Sequence, residues 1–323
     1  MQGDLRAWLD AATGTDEEFV DRVWPLVLRR PPEPEGRERA LAKLREGTLS
    51  RARLLQELVE SDEFGRVALL DDGLARAAAE RVRLPEPGRP RELHAPAGSD
   101  ERALEIPWSL ARYRGERRVL DIGYAFAEPA YLAGLVVLGA VELIGVDLAE
   151  AEVPGLRSTI ADVRALPFPD SSFDVAFCIS TLEHVGRDNE IYNVDAERDG
   201  AGDEAALLEL RRVLSKDGRL LVSVPTGEYE DQGWQIVRAP EDWVALFEGA
   251  GFLVYEDELY VRGAEGWRSA SLVEARTARY GSGGPGAGAV LLAELHPDSF
   301  GGKMRLAVRD VRHRDDVRRS TVA

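Results

Sequence analysis

The sequence predicts an α/β protein, with a doubly wound sheet of seven strands preceded by a small all-helical unit. Three observations predict it. Short apolar runs ending in a carboxylate or glycine alternate with helix-length segments, as in Val119-Leu120-Asp121-Ile122-Gly123 and then Leu143-Ile144-Gly145-Val146-Asp147. Residues 1 to about 82 carry apolar side chains at helical spacing instead. Between the two lies Leu84-Pro85-Glu86-Pro87-Gly88-Arg89-Pro90 through Pro96-Ala97-Gly98, whose prolines extend the chain and deny it helical hydrogen bonds. The implied organisation is a helical domain over 1–83, a linker over 84–100, an α/β domain over 101–298 and a flexible tail over 299–323.

The helical elements come first. Thr15 and Glu18 have capping-box spacing ahead of Phe19, Val20, Val23, Trp24 and Val27. Pro31-Pro32-Glu33-Pro34-Glu35-Gly36 stops that helix, and Leu41 and Leu44 belong to a second. Ser50 is the expected N-cap of a third, with Leu54, Leu55, Leu58 and Val59 on its buried face, and Leu69 to Val82 reads as a fourth. Strands are expected at 118–122, 142–147, 157–160, 173–180, 218–225, 252–258 and 289–295, with helices between them, notably 203–214 and 241–249. The glycine-rich segment Gly281 to Gly288 lacks the lysine and hydroxyl of a phosphate loop and reads as a turn.

Composition narrows the function. With 41 basic and 58 acidic residues the net charge is −17, which repels phosphate backbones and anionic membranes, so no nucleic acid is expected as partner. No apolar run approaches the roughly 20 residues of a membrane span, so no membrane insertion is expected. The start Met1-Gln2-Gly3-Asp4 lacks the marks of a signal peptide, and cytoplasmic residence is the expectation. The single cysteine, Cys178, forbids an internal disulfide and lies among apolar neighbours, as a buried inert thiol does. No His/carboxylate cluster has metal-ligand spacing, so a metal-free site is expected.

The strand ends carry the chemistry. Asp121, Asp147, Asp162 and Asp174 are expected along one rim, with an adenosine across it. Asp147 suits the ribose diol as acceptor, or caps the helix that follows. Gly123 permits a tight turn and leaves room for a ligand. Asp121 holds the loop amides or reaches a ligand amine through water, or is merely a strand-end turn residue. Asp162 with Val163 supplies an acceptor and a backbone donor to an adenine, or opens a short helix; Leu148, Val163 and Leu166 are candidates for its apolar faces. The fourth strand ends in Ser180-Thr181-Leu182-Glu183-His184-Val185-Gly186, where Ser180 is a further cofactor contact.

Over residues 105 to 262 these motifs, taken in order, resemble class I S-adenosylmethionine-dependent methyltransferases. The resemblance rests on Leu166-Pro167-Phe168-Pro169-Asp170-Ser171-Ser172-Phe173-Asp174, on Leu182-Glu183-His184-Val185, and on Leu208 to Leu220 as helix, turn and fifth strand. It implies a Rossmann-like methyltransferase sheet, S-adenosyl-L-methionine as cofactor, and methylation of an acceptor. His184 is then the candidate base, or orients the loop, with Glu183 as a comparable candidate and Asp195 a weaker one. Tyr192, Asn193, Asp195 and Trp234, on two polar loops, suit a polyhydroxylated acceptor, which points to a sugar or glycan-linked hydroxyl in polysaccharide biosynthesis; a secondary-metabolite hydroxyl fits similar loops. Residues 16 to 66 resemble a small bacterial helical domain of unknown function related to phycobilisome-linker-type repeats, through Phe19-Val20, Leu26, Arg30, Pro32, Pro34, Gly36 and Ser61-Asp62-Glu63-Phe64. That resemblance implies association with glycan-handling and cell-surface enzymes. The plainer reading of the unit is a helical cap or dimerisation unit, with self-association or a protein partner as its role.

The first loop departs from the methyltransferase pattern Asp-x-Gly-x-Gly-x-Gly, since Ala125 and Ala127 replace two glycines. If both keep φ negative, binding survives; if their methyls intrude on the cofactor, affinity falls. Tyr124 and Phe126 either cover the cofactor or pack under the helix. The same departure admits a non-catalytic interaction module as the rival reading, and it argues against nicotinamide binding, which wants three glycines after the first strand.

Overall fold

The computed structural model describes residues 14–28, 30–59, 95–192, 197–282 and 286–299, together with 61, 64, 93, 194, 284 and 303. The chain divides into two units, residues 1–72 and 73–323.

In the first unit α1 (Asp16–Leu28), α2 (Pro34–Arg45) and α3 (Arg51–Val59) pack around Phe19, Val20, Val23, Val27, Leu41, Leu54 and Leu58. The capping box forms: the Glu18 amide donates to Thr15 Oγ1 (3.2 Å) and the Thr15 amide to Glu18 Oε2 (2.9 Å). Ser50 caps α3 through the Arg53 amide at 3.2 Å. Pro34 takes the first turn of α2, where its missing N–H costs nothing. The helix expected over Leu69 to Val82 and most of the expected tail lie outside the described residues.

The second unit is a mixed sheet clad in helices. In chain order it comprises β1 (Ala95–Pro96), α4 (Arg102–Ala111), β2 (Arg118–Ile122), α5 (Pro129–Val137), β3 (Glu142–Asp147), β4 (Arg157–Ile160) and β5 (Phe173–Ile179). Then come α6 (Gly202–Val213), β6 (Leu214–Pro225), β7 (Glu230–Asp231), β8 (Ile236–Val237), α7 (Pro240–Gly249), β9 (Phe252–Gly263), β10 (Gly266–Ser269), α8 (Leu272–Arg276) and β11 (Ala289–Pro297). The sheet order is β1-β10-β9-β11-β6-β5-β2-β3-β4. Strands β4, β3, β2, β5 and β6 run parallel, and β11 inserts antiparallel between β6 and β9. All nine residues of β11 are buried, as befits a strand with a neighbour on each side and cover on both faces.

All seven expected strands are present, but the sheet has nine. The additions are β1 and β10, of two and four residues, too short to show a period of two. Ala95 and Pro96, in the stretch read as linker, pair with Trp267 and Gly266 at the sheet edge, where a proline is tolerated. Helix α4 buries Ala103 through Ala111 against the sheet. Cys178 is buried among apolar residues as expected, and burial pushes its thiol up, away from reactivity. Among the described residues no helix is long and apolar enough to cross a membrane.

Candidate functional site

The chain leaves β2 toward β3 and β4 but leaves β5 toward β6, on the other side of the sheet. Between the paired β2 and β5, with Ile122 level with Cys178, the flanking loops part and open a crevice at the carboxyl edge. A cavity of about 220 Å³ occupies it.

Gly123 forms its floor with φ +88°, a left-handed conformation that disfavours side chains. A Cβ there would come within 2.4 Å of Thr181 Oγ1, so both backbone and space demand glycine. The next turn, Tyr124–Phe126, is a single 3-10 turn in which neither Ala125 nor Ala127 takes positive φ. The φ condition for tolerating the two alanines is met, while Ala127 stands on the cavity wall, where its methyl faces whatever occupies the space.

Asp147, ending β3, lines the cavity and accepts the amides of Ala125 and Ala149, each at 3.1 Å. Burial raises its carboxyl while those amides pull it down. Each oxygen thus takes one amide and keeps acceptor capacity for a diol. Leu148 and Val163 line the same wall, whereas Leu166 is drawn into the core. Asp162 also lines it, but its carboxylate is clasped by Arg164, whose amide donates to Oδ1 at 2.8 Å and whose Nη2 donates to Oδ2 at 2.6 Å. Burial raises Asp162, yet this clasp leaves it below the usual carboxylate range. A ligand amine there has to share an acceptor already engaged by a guanidinium.

The opposite wall holds Ser180, at φ +44° an unusual left-handed serine. Its amide donates to the Ser223 carbonyl (3.1 Å) and its hydroxyl to Glu105 Oε1 (2.8 Å), which fix the strained turn. Glu105, on α4, also takes Arg102 Nη1 at 2.6 Å and so holds that guanidinium at the cavity. Sequence reasoning missed Arg102, Arg164 and Thr181 as wall residues. Arg102 and Arg164 sit in no recognised motif, and only Thr181, next to Ser180, had a signal in the strand end.

At the mouth, aromatic rings follow one another. Phe126 meets Tyr192 (centroids 5.0 Å), Tyr192 meets His184 edge-on (5.7 Å), and His184 stacks on Trp234 (5.3 Å). His184 Nδ1 lies 3.0 Å from the Trp234 carbonyl, which can only accept, so Nδ1 carries the proton and Nε2 is the bare nitrogen. Burial pushes the imidazole down to about 4, leaving it neutral at neutral pH.

Several expected contacts are corrected. Asp121 is 1% exposed and stands behind the wall, where it takes the Tyr131 hydroxyl at 2.5 Å. Tyr124 is fully buried, packed on Gly145 and bonded to Ser158, so of the two aromatics only Phe126 reaches the cavity. Glu183 is 2% exposed and lies off the cavity wall, which removes it as a direct base. Asp174 opens β5 and so falls at the opposite edge of a parallel sheet, paired with Arg118 at 2.6 Å; three of the four aspartates, not all, belong to the carboxyl rim. Trp234 touches His184 rather than the cavity, and Asn193 and Asp195 lie outside the described residues.

Fold and site together define an α/β enzyme built around an adenosyl cofactor. Residues 120–222 match the family model described as a methyltransferase domain, and residues 9–67 match a domain of unknown function, DUF4214. The chain carries a class I S-adenosylmethionine-dependent methyltransferase domain, with S-adenosylmethionine as its cofactor. No curated protein matches it. Among solved structures it is similar to the YcgJ protein of Bacillus subtilis, at 18% identity over 60% of this chain and 98% of that one, with a TM-score of 0.41. A 1,6-didemethyltoxoflavin N1-methyltransferase of Burkholderia thailandensis is 14% identical over 86% and 91%, with a TM-score of 0.40. An S-adenosylmethionine-dependent methyltransferase of Methanosarcina mazei is 13% identical over 59% and 97%, with a TM-score of 0.41.

Proposed function

We propose that this enzyme methylates a hydroxyl of a polar small molecule, a sugar or glycan-linked hydroxyl foremost. The observation that carries the reading is His184, a neutral imidazole on the cavity wall with Nδ1 tied to a carbonyl and Nε2 bare.

Asp147 would hold the ribose diol, Val163 and Leu148 the adenine faces, Gly123 the backbone approach, and Arg102 the carboxylate of the methionine half. S-adenosylmethionine supplies an electrophilic methyl group on a sulfonium sulfur. His184 Nε2 takes the proton of the acceptor hydroxyl as the oxygen becomes nucleophilic. The Trp234 carbonyl and the flanking rings keep the imidazole in that orientation. Tyr192 and Phe126 on the cavity wall offer the ring faces, and Asn189 a polar group, that polyhydroxylated acceptors engage. The helical unit of residues 16–59 is proposed to mediate self-association or docking to a partner, read by light scattering at rising concentration.

Tritium transfer from methyl-labelled cofactor to panels of sugars, phenols, amines and thiols tests the acceptor class. Label in sugar ethers supports the reading; label only in amines or thiols sinks it. His184→Ala should lower kcat about 100-fold with S-adenosylhomocysteine affinity unchanged. Asp147→Ala should weaken S-adenosylhomocysteine binding by roughly 30-fold in calorimetry, about 2 kcal/mol for a lost charged hydrogen bond, and wild-type affinity would refute the ribose assignment.

A further inference from the structure

Glu183 is the buried group that the proposed chemistry leaves unused. It stands beside His184 in the 3-10 turn Leu182–His184, with Oε1 3.8 Å from His184 Nε2. Its Oε2 is buried and meets no hydrogen-bond partner among the described residues. An unpartnered carboxyl oxygen is costly in a protein interior and calls for an explanation. The groups facing Glu183 are Glu105 and Arg102 on α4, Glu101 just before it, Cys178 on β5, and the phenols of Tyr192 and Tyr280. Arg102 is already taken by Glu105 at 2.6 Å, so the imidazole is the group nearest Glu183 that gains a positive charge during turnover.

We propose that Glu183 is a positioning residue that acts through His184: its carboxylate steadies the imidazolium formed when Nε2 takes the acceptor's proton. The inference rests on the reading of His184 as base. The acceptor O–H bond breaks and the Nε2–H bond forms; the proton stays on His184, which lines the cavity and yields it to water. Glu183 changes no bond. Its negative charge offsets the burial that otherwise disfavours a charged imidazole. Burial, with the like charge of Glu105, pushes the Glu183 carboxyl up to about 8, so the carboxylate is supplied only toward alkaline pH. Arg102 opposes that rise and Glu101 adds to it.

Nitrogen-15 NMR of the imidazoles in the full chain tests this without any acceptor, and four histidines are few enough to assign. The expected result is an inflection in the His184 Nε2 shift near pH 8 that vanishes in Glu183→Gln and returns, displaced, in Glu183→Asp. An absent inflection in the wild-type chain, or an unchanged one in Glu183→Gln, overturns the proposal. The wild-type titration decides even where a variant fails to fold. Methyl transfer separates the two readings: an active His184→Ala enzyme defeats the base assignment, whereas an inflection absent from the wild type, or unchanged in Glu183→Gln, beside an inactive His184→Ala enzyme defeats the role of Glu183 alone.

Discussion

Glu294, on the strand at the centre of the antiparallel half, and the carboxyls of Asp121 and Glu183 beside the cavity are all buried, yet they shift in opposite directions. Across β6, β9 and β11, Glu294 meets Arg114 and His296, each at 2.9 Å, and Arg219 at 3.3 Å. Nearby, Arg112 bridges Glu256 and Glu258, and Arg219 also holds Glu116. Burial would raise Glu294, but Arg219 and its other cationic neighbours hold it well below the usual carboxylate range. Beside the cavity, Asp121 accepts a tyrosine hydroxyl and Glu183 faces an imidazole; burial pushes each up to about 8. Burial is alike in the two places. What differs is the guanidinium, and it marks Glu294 as framework and Asp121 and Glu183 as groups free to change charge.

The largest expected effect tests the framework. Arg219→Met takes a buried guanidinium from Glu294, leaving it Arg114 and His296, and also removes the pair with Glu116. It should lower stability by about 3–5 kcal/mol in urea titration. A loss under about 1 kcal/mol would mean that the ion pairs add little and would blur the contrast. A smaller effect concerns His184. Its folded value near 4 lies below the ordinary 6.5, so between those values the unfolded chain binds the extra proton. The stability this contributes is complete above pH 6.5 and is lost as pH falls through 4, by roughly 3 kcal/mol. Denaturation at pH 7.5 and 4.5 should show that loss in the wild type and less of it in His184→Ala.

A third effect has the opposite sign. Unfolded Asp121 ionises near the ordinary 3.8, whereas the folded carboxyl keeps its proton until about 8. Folding therefore weakens as pH rises through that window. Asp121→Asn removes the titration and should gain on the wild type by about 1.4 kcal/mol for each pH unit between pH 4 and pH 8. Parallel pH curves for the two proteins would show Asp121 to be ionised after all and would break the comparison.

Much of the sheet was legible because parallel strands buried on both faces must be short apolar runs, as Leu143 to Val146 and Leu291 to Leu295 are. The capping box at Thr15 and Glu18 was legible because its reach is three residues. Asp147 and Gly123 were legible from their place at strand ends. Position along the chain said nothing of depth, so Asp121, Tyr124 and Glu183, each beside a true wall residue, were placed in the site. Asp174 was misplaced although the expected strand, 173–180, already puts it at the start. Every aspartate beside an apolar run reads as a strand tip, while a parallel sheet sends starts and ends to opposite edges. Arg102 escaped notice because Glu105 and Ser180, which hold it there, lie 3 and 78 residues away along the chain.

The position of β11 constrains how this enzyme is made. It emerges from the ribosome after β9, yet it must slot between β6 and β9, pairing Leu295 with Leu220 on one side and Val290 with Tyr260 on the other. Until it does, both flanking strands offer unsatisfied backbone edges, the kind of surface that nascent chains glue together and chaperones shield. Synthesis stalled before residue 289 should therefore leave a sticky intermediate rather than a smaller working enzyme.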